Sequence, residues 1–411
     1  MNPSHTLLTP RLSLLMFLQF FVWGAWFVTL GNYMMSAGLG NSIGTAYSLG
    51  PIAAILSPFL LGMVVDRFFP AEKTLGVLHL LGGIAIFCAP YAAETSASLF
   101  ILFLFVHTLF YMPTLGLSNA LAFHHVRNPE REFPAIRVFG TIGWIVAGVW
   151  VSMILKADHS AIPLRVAGIA SVVLGLYCFS LPHTPPQGKG QQTKVRDILG
   201  LDALRLLKER SMFVFFLCSF LICIPLAAYY AFAPVFVNDA GFANPAFKMS
   251  LGQASEIVFM LAMPLLFARL GVKRMLQIGM LAWVARYAMF AAGVEESLRW
   301  MVLVGIALHG ICYDFFFVAG QIYVDNASEP RFRGQLQGLL VMVTQGFGML
   351  IGAQIAGLLN VAMVQSANES VLTAWKQYWL IPCFAAAVFL VMFSVLFRAP
   401  ATVKAAEATS D

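Results

Sequence analysis

Apolar residues run along this chain in long stretches separated by short polar turns. Twelve such stretches stand out: Leu12–Met35, Ile43–Val65, Thr74–Ala92, Ser98–Phe123, Ile136–Leu155, Ala161–Leu181, Phe213–Val237, Met249–Leu270, Met275–Gly293, Leu298–Tyr323, Gln335–Val361 and Trp375–Phe397. A helix needs about 20 residues to cross the hydrocarbon of a bilayer. Lipid offers no partner to open backbone, so apolar runs of this length must be helices. The pattern therefore predicts an all-α membrane protein with twelve transmembrane helices. One break is longer than the rest, Pro182–Arg210, and holds Pro185, Pro186, Gly188, Gly190 and several charges. That composition reads as a linker, and its end, Leu199–Lys208, has the spacing of a short surface helix. The expected organisation is a six-helix half over 1–181, a cytoplasmic linker over 182–210, a second six-helix half over 211–398 and a cytoplasmic tail over 399–411.

Composition agrees and excludes whole classes of function. Of the 411 residues, 60% are hydrophobic and 11% charged, with a mean hydropathy of +0.81. Soluble domains run near about 45–50% apolar and about 25% charged. A soluble enzyme, a nucleic-acid binder and a disordered scaffold are ruled out for the whole chain. The net charge of +6 implies no nucleic-acid partner, because the basic residues lie in short loops. With the N-terminus placed inside, 18 of the 25 Lys and Arg residues fall on the inner side and five on the outer. That bias predicts both termini in the cytoplasm. Met1–Pro10 is short and polar, so no cleavable leader is expected. The six cysteines sit inside apolar runs without metal-ligand spacing, so no metal site, disulfide framework or cofactor is expected. No Walker sequence or Ser/His/Asp cluster points to ATP-driven transport or a membrane enzyme. A membrane sensor would need a soluble output domain, and the linker is too short to be one.

The two halves share a weak internal repeat. At an offset of 202 residues, Arg67 maps to Arg269, His107 to His309 and Tyr111 to Tyr313. The fourth and tenth spans thus carry His-x-x-x-Tyr in register. Duplicated halves are the architecture of alternating-access carriers, with the solute near the midplane.

Ionisable groups inside spans are costly and usually face a cavity or a partner. Arg137, Glu256, Arg286 and Asp314 are the four here, and their charges balance, so they are expected to pair or share water. A carboxyl group can load a proton on one side and release it on the other, whereas arginine stays protonated. Glu256 and Asp314 are therefore the candidate proton carriers. Arg286 reads instead as a pin between helices. Arg137, Thr141 and Trp144 fall at i, i+4 and i+7, on one helical face. A guanidinium, a hydroxyl and an indole on one stripe suit a polar, ring-bearing solute. Gln253 and Glu256, at i and i+3, offer donors and acceptors to a diol or a base edge. Gln19, Trp23 and Trp26 repeat the stripe in the first span and are possible cavity lining. His107 and His309 read as helix-to-helix hydrogen-bonding groups, and His309 is a possible proton relay and cavity residue.

Several strings carry a family resemblance. Gly62-Met-Val-Val-Asp66-Arg67 resembles the loop signature of the major facilitator superfamily, with its usual basic tail degraded. Gln19–Trp26, Tyr111–Gly116, Ile136–Gly143, Leu199–Ala203, Gln253–Glu256, Tyr313–Phe316 and Gln345–Gly348 resemble, in order along nearly the whole chain, the bacterial nucleoside/proton symporter family. The resemblance implies the twelve-helix major facilitator fold and a carrier of the bacterial inner membrane that imports nucleosides with protons. It places the solute-site arginine on Arg137, with Thr141 and Trp144 on its helix. The glutamine–glutamate pair falls on Gln253 and Glu256, and the essential aspartate on Asp314, beside Tyr313 and a possible lining residue, Phe317. One branch of the family carries a glutamine and an asparagine on the solute in the seventh helix; here Ala227 and Tyr230 stand at those positions. The chain is closer to the branch with Tyr-Tyr in that helix. The expected partners are a nucleoside-like solute, protons and the lipid bilayer, with no nucleic acid, and the chain is expected to act as a monomer. Alternative cargoes are a sugar or a nucleoside derivative, and export is the alternative direction.

Overall fold

The computed structural model describes residues 8–60, 69–126, 129–186, 203–329, 333–368 and 370–398. Among them the chain is helical throughout, in twelve segments: α1 (Leu8–Ser36), α2 (Ile43–Leu60), α3 (Ala71–Thr95), α4 (Ala97–His125), α5 (Pro129–Val149), α6 (Ile162–Cys178), α7 (Arg210–Asp239), α8 (245–270), α9 (272–292), α10 (Glu296–Asn326), α11 (Arg333–Gln365) and α12 (Val371–Leu396). These fall on the twelve apolar stretches. Nine helices of the described residues are long and apolar enough to cross a membrane by length and composition, and α6 is a shorter apolar helix. The loop Gly62–Arg67, residues 199–202 of the linker and the tail lie outside the described residues. Of the expected surface helix, Ala203–Lys208 forms a tight 3₁₀ turn.

The break between α8 and α9 is a single residue. Gly271 sits at φ 67°, ψ 166°, a region that side chains with a Cβ avoid. Arg269, Lys273 and Arg274 flank it, as the polar turn in the sequence suggested. Prolines lie inside α3 at Pro90, α4 at Pro113, α7 at Pro225 and Pro234, and α12 at Pro382. Each removes a backbone donor from its helix. The Tyr287 hydroxyl from α9 donates to the Pro225 carbonyl at 2.8 Å.

Contacts divide the chain into two compact units. The first is Met1–Lys194 with Asn244–Ser250, and the second is Val195–Ala243 with Leu251–Asp411. Inside the first, α1 packs on α5 and α6, and α3 packs on α4 and α6. The Glu72 carboxylate at the start of α3 accepts hydrogen bonds from His183 Nδ1 and the Thr184 amide, each at 2.9 Å. Those bonds tie the chain after α6 back to α3. Inside the second, α7 is the central element, packing on α11 and α12. An aromatic stack of Phe232, Phe236, Phe290, Trp375, Tyr378 and Trp379 fills the space around it.

Candidate functional site

In the first unit, α1 and α5 meet backbone to backbone. A Cβ added at Gly24 would lie 3.0 Å from the Trp144 Cα, so a larger residue there would push the two helices apart by a few tenths of an ångström. The contact brings the Trp23 and Trp144 rings to 5.4 Å, edge to face at 74°. Arg137 lays its guanidinium over the Phe20 ring at 4.1 Å. Arg137, Thr141 and Trp144 are all half-buried, and the i, i+4, i+7 spacing puts them on one stripe of α5.

Gln19 is placed differently from its two tryptophan neighbours. It is fully buried. Its amide nitrogen donates to Thr114 Oγ1 at 2.7 Å, and its amide oxygen faces His79 Nε2 at 2.9 Å. The Tyr111 hydroxyl donates to its backbone carbonyl at 2.5 Å. Gln19 therefore wires α1 to α3 and α4 and has no free amide atom for a solute. His79 was not singled out in the sequence, although a histidine in the third span was its signal. Trp26 is buried against the His107 ring at 5.4 Å, while Trp23 is half-buried.

In the second unit, α8 and α10 also touch at a glycine. A Cβ at Gly310 would lie 2.6 Å from the Ser255 backbone. The Gly310 amide donates to Ser255 Oγ at 2.9 Å, and Ser255 donates to the Gly252 carbonyl at 2.8 Å. This places Glu256 beside His309, with His309 Nε2 4.0 Å from Glu256 Oε2. Gln253, one turn before Glu256, is half-buried.

Five residues on from His309, α10 opens into a π-helical turn over Asp314–Val318. Such turns recur at functional sites. Asp314 heads this turn and is fully buried, and neither of its carboxylate oxygens has a hydrogen-bond partner among the described residues. Tyr313 packs on Phe317 at 5.3 Å, and Phe317 on Trp283 at 5.7 Å. On α7, the Tyr230 ring lies edge-on to His309 at 6.1 Å. Ala227 is buried against α11, where a Cβ on Gly352 would come within 2.8 Å of it.

Arg286 meets no carboxylate among the described residues, so the expected pairing of four intramembrane charges does not include it. Its Nε donates to the Gly305 carbonyl at 3.1 Å and a terminal nitrogen contacts His309 Nδ1 at 3.3 Å. The guanidinium stacks 4.1 Å above the Tyr229 ring. It joins α9 to α10 and α7.

The model of a family described as nucleoside H+ symporter matches residues 7–402. The putative nucleoside transporter YegT of Escherichia coli (strain K12) is 41% identical over 401 residues, which cover 95% of this chain and 94% of YegT. The nucleoside permease NupG of the same organism is 33% identical, over 94% of this chain and 95% of NupG. A crystal structure of nucleoside transporter NupG superimposes with a TM-score of 0.85 at 31% identity, covering 97% of this chain and all of that one.

Proposed function

This chain belongs to the nucleoside H+ symporter family, and on that premise we propose that it imports nucleosides together with protons by alternating access. It is a multi-pass membrane transporter of the major facilitator fold and not an enzyme. In our reading Arg137 orients the solute, Thr141 hydrogen-bonds it and Trp144 stacks on it. Gln253 is an amide contact, and Tyr230 and Tyr313 are aromatic walls. Glu256 and Asp314 handle the proton. The protein is proposed to sit in the bacterial inner membrane with both termini in the cytoplasm, as the placement of its Lys and Arg residues supports, and to work as a monomer.

One observation carries this reading. Asp314 is buried at a π-helical turn with no cation or donor on its carboxylate among the described residues. An unpaired ion inside a protein costs several kcal/mol. A charge on Asp314 must therefore be met by a partner or by water, which couples its proton to a change in its surroundings. A structural carboxylate would be tied down, as Glu72 is.

The test is uptake of labelled uridine and adenosine into proteoliposomes under an imposed pH gradient. Accumulation that collapses when the gradient is dissipated supports the reading. Uptake of no nucleoside, gradient or not, overturns the substrate assignment. A melting-temperature screen of sugars and nucleoside derivatives then identifies the cargo, because only a bound ligand stabilises by mass action.

A further inference from the structure

The repeated histidines, His107 in α4 and His309 in α10, have opposite surroundings. His107 Nδ1 lies 2.9 Å from the Gly82 carbonyl. A carbonyl only accepts, so His107 donates from Nδ1. His309 Nδ1 instead faces a guanidinium nitrogen of Arg286 at 3.3 Å. Guanidinium nitrogens only donate, so His309 Nδ1 must present its lone pair. The ring then carries its hydrogen on Nε2, the atom 4.0 Å from Glu256 Oε2.

We propose that Arg286 and His309 are positioning residues for Glu256: the guanidinium holds His309 in the Nε2–H tautomer, and that hydrogen orients the Glu256 carboxylate for the solute. The groups involved are held firmly. Arg286 and His309 are fully or almost fully buried. The His309 ring is stacked on Tyr229 at 5.5 Å and 17°, with Tyr230 at 6.1 Å and Tyr313 at 5.8 Å around it. Tyr229 also carries the Arg286 guanidinium on its face, so one phenol ring aligns both members of the relay. The Gly310–Ser255 bond holds α8 against α10 at this level. The gap of 4.0 Å is about 1 Å longer than a hydrogen bond, and such bonds are commonly long until the site is filled. Among the described residues no carboxylate meets Arg286, which leaves its charge to the Gly305 carbonyl, His309 and the Tyr229 ring.

The role given to Glu256 rests on the proposed function, whereas the tautomer does not, and the two are tested separately. Nitrogen-15 spectra of histidine-labelled protein, assigned by comparison with His107→Gln and His309→Gln, read the tautomers directly. The expected result is Nε2–H for His309 and Nδ1–H for His107. An Nδ1–H signal for His309 overturns the proposal whether or not the protein binds a nucleoside.

The orienting role is read from uridine affinity. His309→Gln places an amide donor near the former Nε2, while His309→Asn stops at the depth of Nδ1. The Asn variant is expected to bind uridine about 10- to 100-fold more weakly, the loss of one hydrogen bond to a charged group, with the Gln variant within about threefold of the parent. Arg286→Lys added to His309→Asn is expected to weaken binding no further, because both act through the same hydrogen. Equal affinities for the Gln and Asn variants at matched melting temperatures show a packing role only and overturn the proposal. If the parent protein binds no nucleoside, the proposed function fails, and the tautomer spectra still decide the Arg286–His309 assignment.

Discussion

The backbone amide of Gly310 donates to the Ser255 hydroxyl at 2.9 Å, and that bond joins the two helices that carry Glu256 and Asp314. Glu256 follows Ser255 on α8, and Asp314 lies one turn beyond Gly310 on α10. Two substitutions separate the bond from the spacing. Ser255→Ala strands the Gly310 amide, which should cost about 1–3 kcal/mol of stability and leave uptake partly intact. Gly310→Ala drives a methyl group to 2.6 Å from the Ser255 backbone, so the helices must part and uptake should be lost. Thermal melts and proteoliposome uptake check both; wild-type uptake in Gly310→Ala would show that the spacing is not required.

The helices were legible because lipid leaves an apolar run of this length no other structure. The turn between α8 and α9 was legible too, since Arg269, Lys273 and Arg274 bracket Gly271. Membership of the family was readable from strings such as Ile136–Gly143, and the Tyr229-Tyr230 pair in the seventh helix set the chain apart from the permease branch, in agreement with the higher identity to YegT than to NupG. What a side chain meets across the bundle was not legible. Spacing put Gln19, Trp23 and Trp26 on one face, but only the fold brings His79, 60 residues away, against the Gln19 amide. Arg286 looked like half of an ion pair, and its partners proved to be a carbonyl and an imidazole. The π-helical turn at Asp314 depends on a shift in backbone bonding that side-chain periodicity does not encode.

The Gln19 amide can be oriented from its partners. Thr114 donates its hydroxyl to the Tyr111 carbonyl at 2.6 Å, so it must accept from the Gln19 nitrogen. The Gln19 oxygen is then left for His79, which donates from Nε2. The Ser171 hydroxyl donates to the His79 backbone carbonyl at 2.9 Å and lies 3.3 Å from His79 Nδ1. Gln19→Leu should strand the His79 donor inside the first unit and lower stability by about 1–3 kcal/mol. Uridine affinity in the surviving folded protein should be unchanged, since Gln19 has no free amide atom. A large loss of affinity without a lower melting temperature would place Gln19 at the solute after all.

Position 227 offers a sharper test of the seventh helix. If the family's amide contact were simply missing, Ala227→Gln should restore it. The structure predicts the opposite, because Ala227 is buried against Gly352 of α11. A glutamine there overpacks the α7–α11 contact, at about 1–3 kcal/mol, and should lower the melting temperature without improving uridine binding. Tyr230→Phe, by contrast, keeps the ring beside His309 and removes only the hydroxyl. It should shift the preference among uridine, cytidine and adenosine by about tenfold, the worth of one hydrogen bond. Competition uptake with the three nucleosides measures it, and an unchanged order of preference would remove Tyr230 from the solute contacts.

Asp314 and Glu256 differ in setting, and so should their variants. Asp314 is fully buried with both oxygens unpartnered among the described residues, while the Glu256 side chain is 18% exposed and faces His309. Asp314→Asn keeps the shape and removes the only group at the π-helical turn that can take up and give back a proton. It should abolish gradient-driven accumulation while uridine binding persists within about threefold. Glu256→Gln removes a charge oriented toward the solute by His309, so it should weaken binding by about 10- to 100-fold and impair uptake through that loss. Binding to detergent-purified protein and accumulation in proteoliposomes separate the two effects. A variant that binds but cannot concentrate its solute has lost coupling, whereas one that does neither has lost the site. Normal accumulation by both variants would mean that neither carboxylate carries the proton.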